Sequence, residues 1–376
     1  QQKIEELFEK LLTEEMKEMM EEIQKMLEEF NKEDLNENIR EYQADNEELE
    51  KMLDMTLEMY KMLEFEQEFE KTMNRLDSLS KEQERLSEKT EDSKRSELEE
   101  IKEEQDKLND DFDKIGEQLD KLEQMNKELE KNLDIDFHDE EVSDIKGNMQ
   151  EASDELESND KKGASQKQKE ASEKMKKMGE QMRQQFNDAM YSQALEDEED
   201  VRRLLENVIH LSFKEESMID ELDGIRRDNP KYVEIMHKQE EINRQLSMID
   251  DTLSAIGRRN YEIGAYIFEE LAILRENSEL STTNLAAGST SKAKKYLQMT
   301  MTSLNKFALM LSESLDDMNS QMSNMPSCPN GKNKKNQGDN GSPSMQTLKD
   351  LQQQLKEQME KMKEEQGKGN SHGMTG

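Results

Sequence analysis

Apolar side chains recur at alternating steps of three and four through Leu98, Ile101, Gln105, Leu108, Phe112, Ile115, Leu119, Leu122, Asn126, Leu129 and Leu133. Steps averaging about 3.5 residues hold one stripe of a helix against a neighbouring helix, so the run predicts a coiled-coil seam. Ser96 and Glu99 read as a capping box at its start, hydroxyl and carboxylate answering each other's amides across the first turn. At about 1.5 Å per residue the helix extends roughly 58 Å. Gln105 and Asn126 interrupt the seam with polar side chains, which lower stability and fix register.

A second seam, Leu35, Ile39, Tyr42, Asn46, Leu49, Leu53, Thr56, Tyr60 and Leu63, predicts another long helix that pairs antiparallel with the first. Two seams of similar length also suit a dimer; the short turns between them favour an internal hairpin. An earlier amphipathic helix covers residues 4–30, and a less regular one carries Phe69, Met73, Leu76, Leu79 and Leu86. Turns are expected near Asn31, over 90–94 and over 134–139.

Beyond residue 140 the helices shorten. Val142, Ile145, Met149, Ala152 and Leu156 mark one, residues 158–165 a turn, and amphipathic helices follow at 166–191, 197–223, 230–257, 260–287 and 290–325. Asn229-Pro230 makes a sharp start, because asparagine caps well and proline gives up no hydrogen bond at the first helical position. Val201, Leu204, Leu205, Val208, Ile209, Leu211 and Phe213 are apolar nearly all round their helix, which predicts a central place in a bundle. Residues 326–343 gather three of the four prolines among glycine, asparagine and lysine, a linker composition; Leu348, Leu351, Leu355, Met359 and Met362 form a short helix beyond it.

The expected fold is therefore all-α. A rod of long antiparallel coiled-coil helices occupies 1–160, a multi-helix bundle with a basic first helix 161–325, a flexible linker 326–343, and a short amphipathic helix with a flexible tail 344–376.

Composition agrees. Only 31% of the 376 residues are apolar and 5% aromatic, with no tryptophan, too little for a thick globular core, while 38% are charged. The net charge of −37 is concentrated early: residues 1–160 hold 55 acidic against 22 basic side chains, the remainder 35 against 31. Such a surface repels phosphate arrays, which argues against nucleic acid and anionic lipid as partners of that part. Cys328, the single cysteine, forms no internal bridge. No apolar run approaches the roughly eighteen residues of a membrane span. A start at Gln1-Gln2, without methionine, predicts a fragment or processed product with a membrane anchor upstream.

The parts of an active site are missing from the pattern. His138, His210, His237 and His372 lie far apart, none at ligand spacing from another, and His210 reads as a core histidine of its apolar helix. Nucleotide-binding, nucleophile-elbow and zinc-protease fingerprints do not occur. Glutamate pairs abound, but without the Glu-x-x-His of a di-iron bundle they read as solvated helix faces. The expectation is a non-enzymatic protein without a cofactor.

Two features remain as a candidate partner-binding face. Among 28 methionines, Met175, Met178 and Met182, and again Met318, Met322 and Met325, recur on one helical face. Three uses fit: filling a loose helical seam, forming an adaptable groove for client segments, or supplying thioethers to copper(I). Between Lys161 and Arg183 the charge also reverses, through Lys167, Lys169, Lys174, Lys176, Lys177 and Arg183. Those cations suit an acidic partner or an anionic membrane surface, or they lie on the chain's own acidic rod, which already supplies the complementary charge.

Several segments carry a resemblance: KEQERLSEKTE (81–91), QKQKEASEKMKKMGEQM (166–182), DVRRLLENVIHLSF (200–213), RRDNPKYVEI (226–235), MTSLNKFALML (301–311) and the SCPNGKNKK linker. In order and spacing they resemble the carboxyl-terminal helical region of a Bacteroidota membrane-anchored family, domain of unknown function 4175. The resemblance implies transmembrane helices upstream and a helical region in the periplasm, and it brings no catalytic residues. The function expected is a structural or scaffolding protein of the cell envelope, binding other proteins and associating with itself. A periplasmic chaperone-like or secretion-accessory protein, holding client segments on methionine-rich faces, is the alternative.

Overall fold

The computed structural model describes residues 39–260, 263–323 and 325, and these are all-α, with no strand among them. Seven α-helices follow in order among the described residues: α1 (Ile39–Asp92), α2 (Leu98–Glu128), α3 (Asp139–Glu157), α4 (Lys161–Leu222), α5 (Pro230–Gly257), α6 (Ala265–Ala286) and α7 (Thr290–Met322). The helix expected at 4–30, the turn near Asn31, the linker and the short helix after it lie outside the described residues.

Two compact units emerge, and their limits differ from the boundary expected at residue 160. The first bundle comprises Lys61–Ser192; the second joins described residues up to Tyr60 with those from Gln193 to 323. The divisions fall inside α1 and α4. Where the sequence suggested a break between 63 and 69, and another near 192–196, each helix continues. No glycine or proline interrupts either place, and Gln193, Ala194 and Asp197 are buried.

The turn expected over 158–165 is shorter than that, the one expected over 134–139 is longer and spans 129–138, and several turns carry identifiable chemistry. Asn159 takes a left-handed φ of 62°, and bonds from its amide to Leu156 O (3.1 Å) and from Asp160 N to Glu155 O (2.8 Å) close α3 in a Schellman motif. Asp160 then caps α4, its Oδ1 accepting from Lys162 N at 3.1 Å and Gly163 N at 3.0 Å. The turn thus ends by residue 160, and Ser165 is buried inside α4. Gly288, φ 75°, closes α6 the same way. The expected cap at Ser96 and Glu99 is displaced: a 3-10 turn spans Arg95–Glu97, and Glu97 Oε2 accepts from Lys94 N at 2.8 Å. Asn229 caps α5 as expected, accepting from Lys231 N at 3.0 Å.

In the first bundle neighbouring helices run antiparallel. Partners on α1 and α2 count in opposite directions through Glu68–Lys121, Arg75–Asp111, Gln83–Gln105 and Lys89–Glu104. The pairs Lys102–Glu157 and Lys146–Asp113 do the same for α2 and α3, Lys174–Asp144 and Lys167–Glu151 for α3 and α4, and Ser87–Ser165 and Asp77–Arg183 for α4 and α1. The α1 segment that pairs with α2 is the one carrying Phe69 to Leu86, whereas α1 up to Tyr60 belongs to the second bundle. The apolar stripe from Leu98 to Leu122 is buried within this one chain. That stripe ends sooner than expected, since α2 stops at Glu128. Asn126 turns away from any seam partner, donating to Leu133 O and accepting from Leu133 N, both at 2.8 Å.

A polar layer crosses the middle of this bundle. Gln105 of α2 makes four hydrogen bonds: Oε1 accepts from Gln83 Nε2 of α1 (2.7 Å) and Gln168 Nε2 of α4 (3.0 Å), and Nε2 donates to Gln83 Oε1 (3.1 Å) and Asn109 Oδ1 (2.8 Å). Asn109 continues to Ser153 of α3 at 3.1 Å, so all four helices contribute. The three glutamines are fully buried.

The second bundle packs α4 from Gln193 against α5, α6 and α7, with the start of α1 added through Met55 and a Lys51–Asp250 pair of 2.7 Å. Antiparallel neighbours recur: Lys214–Glu241 and Glu221–Lys238 join α4 to α5, while Asn243–Thr282 and Asp250–Arg275 join α5 to α6. The α4 stretch predicted to be apolar all round is two-faced: Val201, Leu204, Val208 and Leu211 are buried, whereas Ile209, His210 and Phe213 are exposed. Tyr232 ties the start of α5 to the end of α6, its hydroxyl donating to Leu285 O at 2.7 Å in a buried setting. Tyr232→Phe keeps the ring packing and strips that donor, and is expected to lower stability by about 1 kcal/mol. Urea unfolding of the two proteins side by side measures it, and superimposable curves would show the bond to be without net value.

Candidate interaction surface

The candidate face lies on the first half of α4, within the first bundle. Its core stripe is Ala164, Gln168, Ala171, Met175, Met178 and Met182, stepping four and three, and every member is buried. Met175, Met178 and Met182 join the cluster that holds Phe69, Leu76 and Ile145. The seam-filling reading of these methionines therefore applies; they line no groove and present no sulfur to solvent. Met318 and Met322 of α7 are buried likewise in the second bundle.

The cations divide. Lys167 meets Glu151 of α3 at 2.6 Å, Lys174 meets Asp144 of α3 at 3.3 Å, and Arg183 meets Asp77 of α1 at 2.8 Å and Asn74 at 3.2 Å. These three lie on the chain's own acid, and the Glu151 carboxylate holds the Lys167 ammonium above its ordinary pKa. Lys169, Lys176 and Lys177 are exposed. Glu173, also exposed, sits three or four positions from each of them, the spacing of ordinary solvated helix pairs. The structure thus separates what the sequence grouped: methionines inward, half the cations against α1 and α3, the other half outward.

The second bundle presents a different surface. Every large apolar side chain that is exposed among the described residues belongs to it, on all four of α4, α5, α6 and α7. Phe213 is 63% exposed, Met248 68% and Leu309 72%, with Ile209, Val233 and Ile273 also open to solvent. The sequence singled out Ile209 and Phe213 but assigned them to the core. Their angular offset from Val208 and Leu211 was the signal that placed them outside.

Sequence reasoning also missed the buried acids of this bundle. Asp197 meets Arg259 at 2.6 Å, Asp250 meets Lys51 and Arg275, and Glu270 meets Lys306 at 2.5 Å. Glu215 of α4, fully buried, has no cation among the described residues; Gln239 Nε2 donates to its Oε1 at 3.2 Å.

No group of three or more His, Cys, Asp or Glu among the described residues is placed to hold a metal ion. No helix there is long and apolar enough to cross a membrane. What this surface offers chemically is apolar area, at about 25 cal/mol per Å² removed from water when a partner covers it. No protein-family model matches the chain, and neither a curated protein nor a solved structure does.

Proposed function

We propose that this chain is a non-enzymatic scaffold of the bacterial cell envelope that binds another protein through the outer faces of its second bundle. One observation carries the reading: the exposed large apolar side chains among the described residues all sit on that bundle. Scattered apolar residues are normal on any surface, but a one-sided distribution between two bundles of one chain favours a role in contact. The envelope location, an anchor upstream and a periplasmic setting rest on the family resemblance of the segments quoted above. Self-association belongs to the same proposal; because the α2 seam is buried within one chain, it would have to use outer faces.

The client-holding alternative drew its motive from the methionine stripes, and Met175, Met178, Met182, Met318 and Met322 are core residues. Met248 and Met299 alone among the methionines are large exposed apolar groups in the described residues, too few for a methionine-lined cradle.

The test is a native pull-down from solubilised envelopes with the full chain, alongside a triple variant Phe213→Ser, Met248→Ser, Leu309→Ser. Recovery of a discrete partner that falls about tenfold or more in the variant is expected, because few residues carry most of the energy of an interface. Melting should barely move, exposed positions contributing within about 0.5 kcal/mol each. A wild-type protein that stays monomeric by light scattering and retains no partner would remove the proposal.

A further inference from the structure

Among the described residues the second bundle buries five carboxylates, and four of them meet a cation: Asp197 with Arg259, Glu198 with Arg202, Asp250 with Lys51 and Arg275, Glu270 with Lys306. Glu215 is the exception. It occupies a slot of the α4 core stripe, between Leu211 and Met218, and its one hydrogen-bond partner among the described residues is Gln239 of α5, which also sits in a core slot and is also fully buried. Gln239 Nε2 donates to Glu215 Oε1 at 3.2 Å and to Ser278 Oγ of α6 at 2.8 Å. Two buried oxygens are left without a donor, Glu215 Oε2 and Gln239 Oε1. With Glu215 ionised both can only accept, and each stays unanswered in a medium where that is costly. A single proton answers both.

We propose that Glu215 is a neutral carboxylic acid in the folded protein, its Oε2–H donating to Gln239 Oε1 in a two-bond acid–amide pair, and that losing this proton loosens the α4–α5 contact. The pair acts as a pH-sensitive latch in the second bundle. Charged groups near this level on each packed helix are exposed or engaged elsewhere. On α4, Glu216 is exposed and Lys214 meets Glu241; on α5, Lys238 meets Glu221, and Glu240 and Arg244 are exposed. On α6, Glu276 and Glu279 are exposed; on α7, Lys306 meets Glu270. None of them is hydrogen-bonded to Glu215, so no neighbouring cation holds it ionised. Burial pushes the Glu215 carboxyl from 4.5 up to about 8, the Gln239 hydrogen bond opposing in part.

The direction of the pH effect follows. Between 4.5 and about 8 the folded state keeps a proton that the unfolded chain has released, so stability falls as pH rises across that window and levels off above it. The folding constant changes by up to about tenfold per pH unit from this one group.

The experiment compares full-length wild type with Glu215→Gln, whose carboxamide forms both bonds to Gln239 without a titrating proton. Denaturant unfolding and amide hydrogen exchange in α4 and α5 are followed from about pH 5 to about pH 9. The wild type is expected to lose stability relative to the variant by up to about tenfold per unit until about pH 8, then no further. Equal slopes in the two proteins would overturn the latch. Infrared spectroscopy of the wild type alone gives an independent reading should the variant fail to fold. A protonated-carboxyl carbonyl band present at neutral pH and lost near pH 8 supports the proposal, and no such band at neutral pH refutes it.

Discussion

Gln105→Leu is expected to destabilise the first bundle by about 3–5 kcal/mol, because buried amide groups stripped of their partners lose about 1–3 kcal/mol each. Gln105 is the hub of the polar layer: its removal takes a donor and an acceptor from Gln83, the acceptor from Gln168 Nε2 and a donor from Asn109. Gln83 and Gln168 are fully buried, so water does not replace what is lost. The triple variant Gln83→Leu, Gln105→Leu, Gln168→Leu removes all three amides together and is expected to recover most of that loss, since apolar replacement of a whole buried network is close to neutral. Its penalty should appear as lost uniqueness of register, visible as broadened amide resonances and weaker protection in α2. Chemical denaturation of the single and triple variants decides the point. A triple variant no more stable than the single would mean that the layer does not act as a unit.

Arg259→Met should cost a similar amount, about 3–5 kcal/mol, in the second bundle. The guanidinium Nε donates to Asp197 Oδ1 at 2.6 Å, and both side chains are largely buried, Asp197 at 2% and Arg259 at 13% exposure. Arg259 also reaches Ala255 O at 3.4 Å, so it pins the connection after α5 to α4. Taking away the cation leaves a carboxylate in a site chosen for a pair, whereas Asp197→Leu with Arg259→Met removes the charge from both sides and should be far milder. Thermal and urea unfolding of the four proteins in a double-mutant cycle gives the coupling directly. A coupling below about 1 kcal/mol would put this bridge with ordinary surface pairs.

These two sites illustrate what periodicity reveals. Gln105 was legible in advance as a polar residue in a seam, and the structure places it at the centre of a buried hydrogen-bonded layer, although its partners on α1 and α4 were not identifiable. Asn126 stood in the same seam by the same rule and does something else, closing the chain onto Leu133. Spacing alone does not distinguish a polar side chain aimed across a bundle from one that folds back on its own helix end. Glu215 falls in a core slot of α4, at alternating steps from Val201 to Leu222, and was passed over, because an acid in such a slot reads as an irregularity until Gln239 is seen opposite. Arg259 and Asp197, 62 positions apart, left no trace in the pattern. Residue type alone leaves the methionine face open between seam filling, a groove and copper(I) ligation. Met175, Met178 and Met182 continue the step pattern of Ala164, Gln168 and Ala171, and following that stripe instead of the residue type places them inside.

The residues alone determined that the described part of the chain is all-α, where several of its helices begin or end, and which stripe of most of them is apolar. Those properties depend on neighbours within about one turn: caps at Asn229 and Asp160, left-handed closures at Asn159 and Gly288, and apolar steps of three and four. Tertiary structure alone decided that α1 and α4 run unbroken through the limits of two bundles, and that α2 pairs with the second part of α1. It also decided which charges are spent on the chain itself. Such choices are made between helices distant in sequence, by the joint burial of stripes that look alike when read one at a time, and only packing tells Lys167, held by Glu151, from Lys169, left to solvent.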